Sequence, residues 1–179
     1  MNIRSAALSD TEQILKIYNP YITDTVITFE LKPLTTEEFR RRMESILAKH
    51  PFFVCETDGS NGTKKIIGYA YASKYRDFAA FEWSVIVTVY IDPEHHRKGI
   101  GKALYKALFD ELTRRGYYNA YAAITDSNDV SIKMHENMGF SEVGTLENVA
   151  YKHGQWRGVV WMKKQLHEYD EPKPTIMPL

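Results

Sequence analysis

The chain has 179 residues, 44% of them hydrophobic and 26% charged, the balance of one soluble domain with a sizeable core, which excludes a disordered or fibrous protein. Lys plus Arg and Asp plus Glu each number 23, so no global field draws the chain to nucleic acid or anionic lipid, and any anion site must be local. The single cysteine, Cys55 in "PFFVCE", excludes an internal disulfide, suits a reducing compartment and reads as a small buried strand residue.

The opening "MNIRSAALSD" has charge and Ser/Asp where a signal peptide needs an apolar core, and no later run is apolar enough to span a bilayer. The sequence reads as cytoplasmic. "NIRSA" is a short first strand. "LSDTEQILKIYN" places Ser9 and Glu12 at capping-box spacing, with Ile14, Leu15, Ile17 and Tyr18 on one helical face, and Asn19-Pro20 is expected to interrupt it. A second box, Thr35 with Glu38, opens "TTEEFRRRMESILAKH", whose stripe of Phe39, Met43, Ile46 and Leu47 stops at Pro51. Its Arg40, Arg41 and Arg42 read as a solvated face.

"PFFVCET" and "KIIGYAYASKY" form a hairpin across "DGSNGTK", where Asp58-Gly59 and Asn61-Gly62 are turn dipeptides. "FEWSVIVTVYI" is the next strand. A helix from about Gly101 to Arg115 turns Leu104, Leu108, Phe109 and Leu112 inward and stops at Gly116. "YYNAYAAIT" is a buried strand, and "SNDVSIKMHENMGF" a short helix opening at Ser127 or Asn128 and ending at Gly139. Two strands follow, around "SEVGTLENVAYKH" and "WRGVVWMKKQL". The three-proline tail "HEYDEPKPTIMPL" is expected to be loosely held. The order β-α-α-β-β-β-α-β-α-β-β implies an α/β fold with a mixed sheet flanked by helices.

The turn "HRKGIG", His96 to Gly101, stands between a strand and a helix. A glycine-rich helix start exposes unpaired N–H groups at the positive end of the helix dipole, where a phosphate binds. Arg97, Lys98 and Lys102 add cationic side chains. The Walker pattern fails at His96 and Ala103, and the dinucleotide fingerprint fails at Leu104. The plain alternative is a basic turn whose glycines serve chain geometry alone.

These residues resemble the GNAT superfamily of acyl-CoA-dependent N-acetyltransferases, whose cofactor loop reads Q/R-x-x-G-x-G/A, with His96 here in the Gln/Arg place. "NDVSIKMHENMGF" is similar to a second block, N-x-x-A/S-x-x-x-Y-x-x-x-G-F, giving Asn128, Ser131, Gly139 and Phe140, with His135 at the Tyr position. That histidine, with "IYNPYI", "TVYI", "GTL" and "YKHGQWRGVVWM", resembles the phosphinothricin acetyltransferase-like branch over about residues 2 to 165.

The resemblance implies one domain over residues 1–166 with a tail at 167–179. The fold it implies is a mixed, mostly antiparallel sheet with about four helices. Acetyl-CoA is the implied co-substrate, with no metal, no nucleic acid and no membrane. By carry-over, the main chain of Val89, Tyr90 and Ile91 pairs with the pantetheine arm, Arg97, Lys98, Gly99, Ile100, Gly101 and Lys102 hold the pyrophosphate, and Asn128 and Ser131 touch the far side of the arm. Backbone N–H groups near Tyr90 are the implied oxyanion donors. His135 is the implied proton donor for the thiolate, or else positions substrate.

The branch keeps a Glu as general base where this chain has Ile86. On a strand, Glu82, Ser84, Ile86, Thr88 and Tyr90 share one face, unless a bulge of the kind the superfamily often has here breaks the alternation. Glu82 and His153 are replacement bases to consider. Tyr75, Arg76, Tyr151 and His153 are the implied substrate contacts. A general base contributes about 10²- to 10⁴-fold, and the substrate amine decides the penalty for lacking one. At pH 7 an α-amine is roughly a tenth neutral and a lysine amine under about one in a thousand. The implied reaction is acetyl transfer to the α-amine of a small amino-acid-like molecule of the phosphinothricin or methionine-derivative type, in a homodimer by resemblance. The alternatives are a peptide N-terminus, a polyamine (with only Asp77 and Glu82 as acids in the substrate loop), and a non-catalytic acyl-CoA-binding module.

Overall fold

A computed structural model describes residues 1–59 and 62–169 of the chain. The elements run β1 (Asn2–Ser5), α1 (Thr11–Asp24), α2 (Thr36–Leu47), β2 (Phe52–Asp58), β3 (Lys64–Lys74), β4 (Ser84–Ile91), α3 (Ile100–Arg114), β5 (Asn119–Thr125), α4 (Asp129–Glu136), β6 (Ser141–Lys152) and β7 (Gln155–Gln165). One seven-stranded sheet has the order β1-β2-β3-β4-β5-β7-β6, and only the β4/β5 neighbours are parallel. This is the mixed, mostly antiparallel α/β architecture expected, with four α-helices among the described residues.

Two cores cover opposite sheet faces. On one, Leu104, Tyr105, Leu108 and Leu112 of α3 pack on Ala70, Ala72, Val85, Val87, Ala120 and Ala122, whose small or β-branched side chains let the helix lie close. On the other, Ile14 and Tyr18 of α1 and Phe39 and Met43 of α2 cover Phe52, Val54, Ile66 and Tyr69. Cys55 is fully buried within β2.

Helix α2 starts as expected: Thr35 Oγ1 accepts from the Glu38 N–H at 3.2 Å and the Glu38 carboxylate accepts from the Thr35 N–H at 2.8 Å. Helix α1 departs twice from expectation. Its entry is organised not by Ser9 and Glu12 but by Asp10, whose carboxylate accepts from the Ala7 N–H at 2.8 Å and from both Arg4 terminal nitrogens at 2.8 and 2.9 Å. The helix also runs through Pro20 to Asp24. A mid-helix proline costs about 3 kcal/mol. Beyond it, Tyr21 and Ile22 are both buried, at roughly 1.5–3 kcal/mol for each large side chain, which offsets that cost.

Residues 167 to 169 are held, unlike the loose tail expected. His167 Nε2 lies 2.9 Å from the Thr113 carbonyl, and the Tyr169 hydroxyl donates to Asn119 Oδ1 at 2.7 Å. The rest of that expectation, residues 170–179, and the Asn61 turn position lie outside the described residues. Among the described residues no helix is long and apolar enough to cross a membrane.

Candidate active site

The β3/β4 ladder runs in unbroken register from Gly68↔Ile91 to Lys74↔Val85, so the bulge considered from the resemblance is absent there. The interruption lies on the other side of the strand. Strands β4 and β5 pair only at Ser84↔Asn119, Val85↔Ala120 and Ile86↔Tyr121, then splay apart.

Main-chain polar groups alternate sides along a strand. The Trp83 carbonyl accepts from the Tyr118 N–H at 2.9 Å, toward β5, and the Asp92 N–H donates to the Ile67 carbonyl at 3.0 Å, toward β3. Alternation therefore puts the Val87 N–H in the last rung, on the Tyr121 carbonyl, turns the Val87 carbonyl and the main chains of Val89 and Ile91 into the splay, and turns that of Tyr90 toward β3. The Tyr90 N–H is thus not a donor into the cleft, a correction to the expectation centred on that residue. Its ring instead packs with Tyr18, Tyr21 and Tyr69, at centroid distances of 5.0, 5.1 and 5.6 Å. The Ile91 carbonyl accepts from the Tyr21 hydroxyl at 2.6 Å, and Tyr21 Oη lies 2.8 Å from His96 Nε2, which ties the glycine turn to α1. Burial pushes the Tyr21 hydroxyl up to about 12, so it stays protonated as a donor.

Directly below the open strand edge stands the N-terminus of α3. Its N-cap is Gly99, left-handed at φ 76°, which no side chain caps, so the first-turn N–H groups are left for another acceptor. Gly101 answers to packing instead: a Cβ there would lie 3.1 Å from Met134 Sδ of α4. Arg97 and Lys102 line the cleft. Lys98 does not, because its ammonium donates back to the Glu94 carbonyl at 3.2 Å.

Helix α4 closes the far wall. Asn128 caps it, its side chain accepting from the Ser131 N–H at 3.2 Å. His135 is 3% exposed; Nδ1 lies 2.8 Å from the Ser131 carbonyl and Nε2 lies 3.0 Å from Tyr105 Oη. A carbonyl only accepts, so Nδ1 carries the proton, and Nε2 accepts from the Tyr105 hydroxyl. Burial pushes the His135 pKa below the ordinary histidine value, with the Ser131 bond working against it. Both ring nitrogens of the neutral imidazole are therefore engaged. The expected proton donor is corrected to a histidine in the cleft wall with both ring nitrogens held, one on the Ser131 carbonyl and one by Tyr105.

Val89, Tyr90, Ile91, Arg97, Gly99, Ile100, Gly101, Lys102, Asn128, Ser131 and His135 line one cleft of 490 Å³. Tyr21, Ile27, Tyr105, Ala123 and Met134 share it. The sequence reading missed these five because each lies on a neighbouring element whose approach no local pattern encodes. The other predicted residues do not line the cleft. Glu82 ends a short helical turn before β4 begins and is exposed, so it is not one strand repeat from Ile86. Arg76 is exposed, 5.6 Å over the Tyr75 ring. Tyr151 packs edge-on against Trp156 at 5.4 Å, and His153 sits exposed in the β6–β7 turn at φ 49°.

The residue beside that turn that does reach across is Lys152, the buried last residue of β6, whose ammonium donates to the Thr28 carbonyl at 2.7 Å. Burial lowers its pKa, and Glu30 partly opposes this. Glu30 in turn pairs with Arg42 at 2.5 Å, so Arg42 leaves the solvated face assigned to it from sequence. Asp92, Glu94 and His95 cluster at the cleft's edge, but Lys65 already bridges the two carboxylates at 2.9 and 3.7 Å.

An acetyltransferase (GNAT) domain model matches residues 3–161. A phosphinothricin N-acetyltransferase of Streptomyces coelicolor is 35% identical over 93% of this chain and 96% of its own. An L-methionine sulfoximine/L-methionine sulfone acetyltransferase of Salmonella typhimurium is 31% identical over 96% of this chain and 98% of its own. Among solved structures, a Sinorhizobium meliloti phosphinothricin acetyltransferase in complex with AcCoA superposes with a TM-score of 0.91 at 31% identity, over 99% of this chain and 95% of that one.

Proposed function

This chain belongs to the GNAT acetyltransferase family, and from that premise we propose that it moves acetyl from acetyl-CoA to the α-amine of a small amino-acid-like molecule in the cytoplasm. The observation that carries the reading is the end of β4/β5 pairing at Ile86↔Tyr121, which opens a main-chain edge beside an uncapped helix N-terminus.

The residues fit acetyl-CoA in kind. The first-turn N–H groups of α3, with Arg97 and Lys102, suit the pyrophosphate, and the open edge at Val89 and Ile91 suits an amide-bearing arm that pairs like a strand. When bound, acetyl-CoA supplies an acetyl group activated as a thioester. The Val87 N–H closes the last β4/β5 rung on the Tyr121 carbonyl, so the Val89 N–H, the next one turned into the splay, is the donor best placed to hold the carbonyl oxygen as it gains charge. The proton that the attacking nitrogen loses balances the departing sulfur, and the Tyr105 hydroxyl, its hydrogen held on His135 Nε2, fixes the cleft wall beside that exchange.

Acceptance of the amine's proton has no side chain on β4, because Ile86 stands at the base position. The reaction therefore draws on the neutral fraction of the amine, roughly a tenth for an α-amine at pH 7 and far less for a lysine. Thiol release from acetyl-CoA across an amine panel tests this: α-amino acids and their phosphinothricin or sulfoximine analogues turn over, and a lysine peptide does not. Turnover of the lysine peptide alone would overturn the reading.

We propose a homodimer as well, supported by edge strand β6, where Val143, Leu146 and Val149 are 53%, 50% and 52% exposed. Light scattering on the purified chain at working concentration tests it, and a monomer mass overturns it.

A further inference from the structure

Ile86 stops looking out of place once its face of the sheet is assembled. Strand alternation puts Ile86 and Thr88 of β4 on the face opposite α3, together with Tyr121 and Ala123 of β5 and Trp161 of β7, which is in register with Ala123. Ile86 and Tyr121 are themselves in register, at the apex where the cleft begins. Tyr75 stacks on Tyr121 at 4.6 Å and 20°, and meets Trp161 edge-on at 6.4 Å and 90° and Phe81 at 5.7 Å and 70°. The wall stays open to solvent, since Phe81 is 41% and the neighbouring Phe78 73% exposed.

No carboxylate occupies the four apex positions of β4 and β5: they are Ile86, Thr88, Tyr121 and Ala123. Two cations border this wall, with Asp77 and Glu82 in the same loop as Arg76, and Lys163 donating to the Tyr169 hydroxyl. Lys163 is in register with Tyr121, and Arg76 lies over Tyr75. An acyl group held in the splay has α3 and α4 on one side of the sheet, so its acceptor enters from the other, across this aromatic wall.

We propose that the acceptor is an α-amino acid with an aromatic side group. Its ring packs on Ile86 beside the Tyr75–Tyr121 stack, and its carboxylate lies toward the Lys163 and Arg76 cations. Ile86 is then part of an apolar floor, and the strand has exchanged a base for ring contact. Ring contact added to area burial is enough to separate phenylalanine from alanine by about tenfold or more. The inference rests on the acetyl-transfer reading above, and its test lets the two fail separately.

The test measures calorimetric binding of L-phenylalanine, L-tryptophan, L-alanine and methionine sulfoximine to CoA-saturated protein, beside initial acetylation rates. We expect the aromatic amino acids to exceed alanine at least tenfold in kcat/KM. Tyr121→Ala should lower the phenylalanine-to-alanine ratio at least tenfold, Trp161→Ala should move it the same way, and Tyr121→Phe should keep it within about twofold, which controls for folding. Aromatic binding that depends on Tyr121 without any turnover would overturn the transfer reading and keep the site. Acetylation of methionine sulfoximine with no aromatic preference would keep the transfer and overturn the inference. An unchanged ratio accompanied by a loss of dimer in Tyr121→Ala would assign the wall to a second copy of the chain and also overturn it.

Discussion

On the α3 side of the cleft the polar atoms left open are largely main chain: the edge of Val89 and Ile91 and the first turn of a helix whose N-cap is Gly99. On the opposite side the surface is made of side chains, with Tyr75, Tyr121 and Trp161 around Ile86, and Glu30, Arg42 and Lys152 on the loop and hairpin beyond. Main-chain sites depend on backbone shape and tolerate sequence change, as His96 in the Gln/Arg place illustrates. Side-chain sites change character with a single substitution, as Ile86 illustrates. One cleft can therefore keep its activated donor while its acceptor drifts.

The sharpest way to break this contrast is to return a carboxylate to the acceptor wall. Ile86→Glu should raise turnover of high-pKa amines at pH 7 by about 10²-fold, within the usual contribution of a general base, and lower turnover of aromatic acceptors. Initial rates with a lysine-type amine and with phenylalanine measure both, and no gain with the former would remove Ile86 from the reaction's neighbourhood. A disturbance of the main-chain wall should act on the other substrate. Gly101→Val forces a branched side chain into the 3.1 Å gap beside Met134 and should weaken acetyl-CoA binding about tenfold, or ~1.4 kcal/mol, without changing the acceptor ratio. Calorimetry checks this, and Met134→Ala in the same background should restore part of the loss.

The smallest effect separates the cleft from the scaffold. His135 and His50 both have pKa values lowered by burial, that of His50 to about 4, with the nearby Arg115 charge adding to its shift. Their unfolded pKa is higher, so the unfolded chain binds more protons below about pH 6.5, and stability falls as pH drops from there toward 4. After discounting for solvent at the half-buried His50, we expect a loss on the order of 1–2 kcal/mol. Denaturant titrations at pH 7 and 5 measure it, and His50→Asn should flatten the slope.

Local chemistry made much of this fold legible. The Thr35 and Asn128 caps, the glycine turn and the order of strands and helices follow from neighbours within a turn or a pleat. What stayed hidden depended on distant partners. Pro20 is tolerated because Tyr21 and Ile22 find a core. Lys98 turns away because Glu94 offers a carbonyl, and Arg42 finds Glu30 across a loop that has no period to read. Glu82 fails as a substitute base because β4 begins two residues later. The splay itself is an absence of pairing, and hydrophobic alternation continues through it unchanged.

That splay gives the sheet an edge in its interior. Ordinary edges lie at the rim, where charge or bulges guard them or a second chain covers them. Here the unpaired rungs of β4 lie between two strands of the same sheet, so the resting protein has a seam at its centre, which the proposed function fills with the arm of the co-substrate as a borrowed strand. Ligand binding and folding stability are then one quantity: at a hundred times its dissociation constant the ligand adds about 2.7 kcal/mol. The amides of Val89 and Ile91 should exchange with solvent fastest among the β4 rungs when the cleft is open, and slow most when it is filled, with the Val87 amide, bonded to Tyr121, as the protected reference.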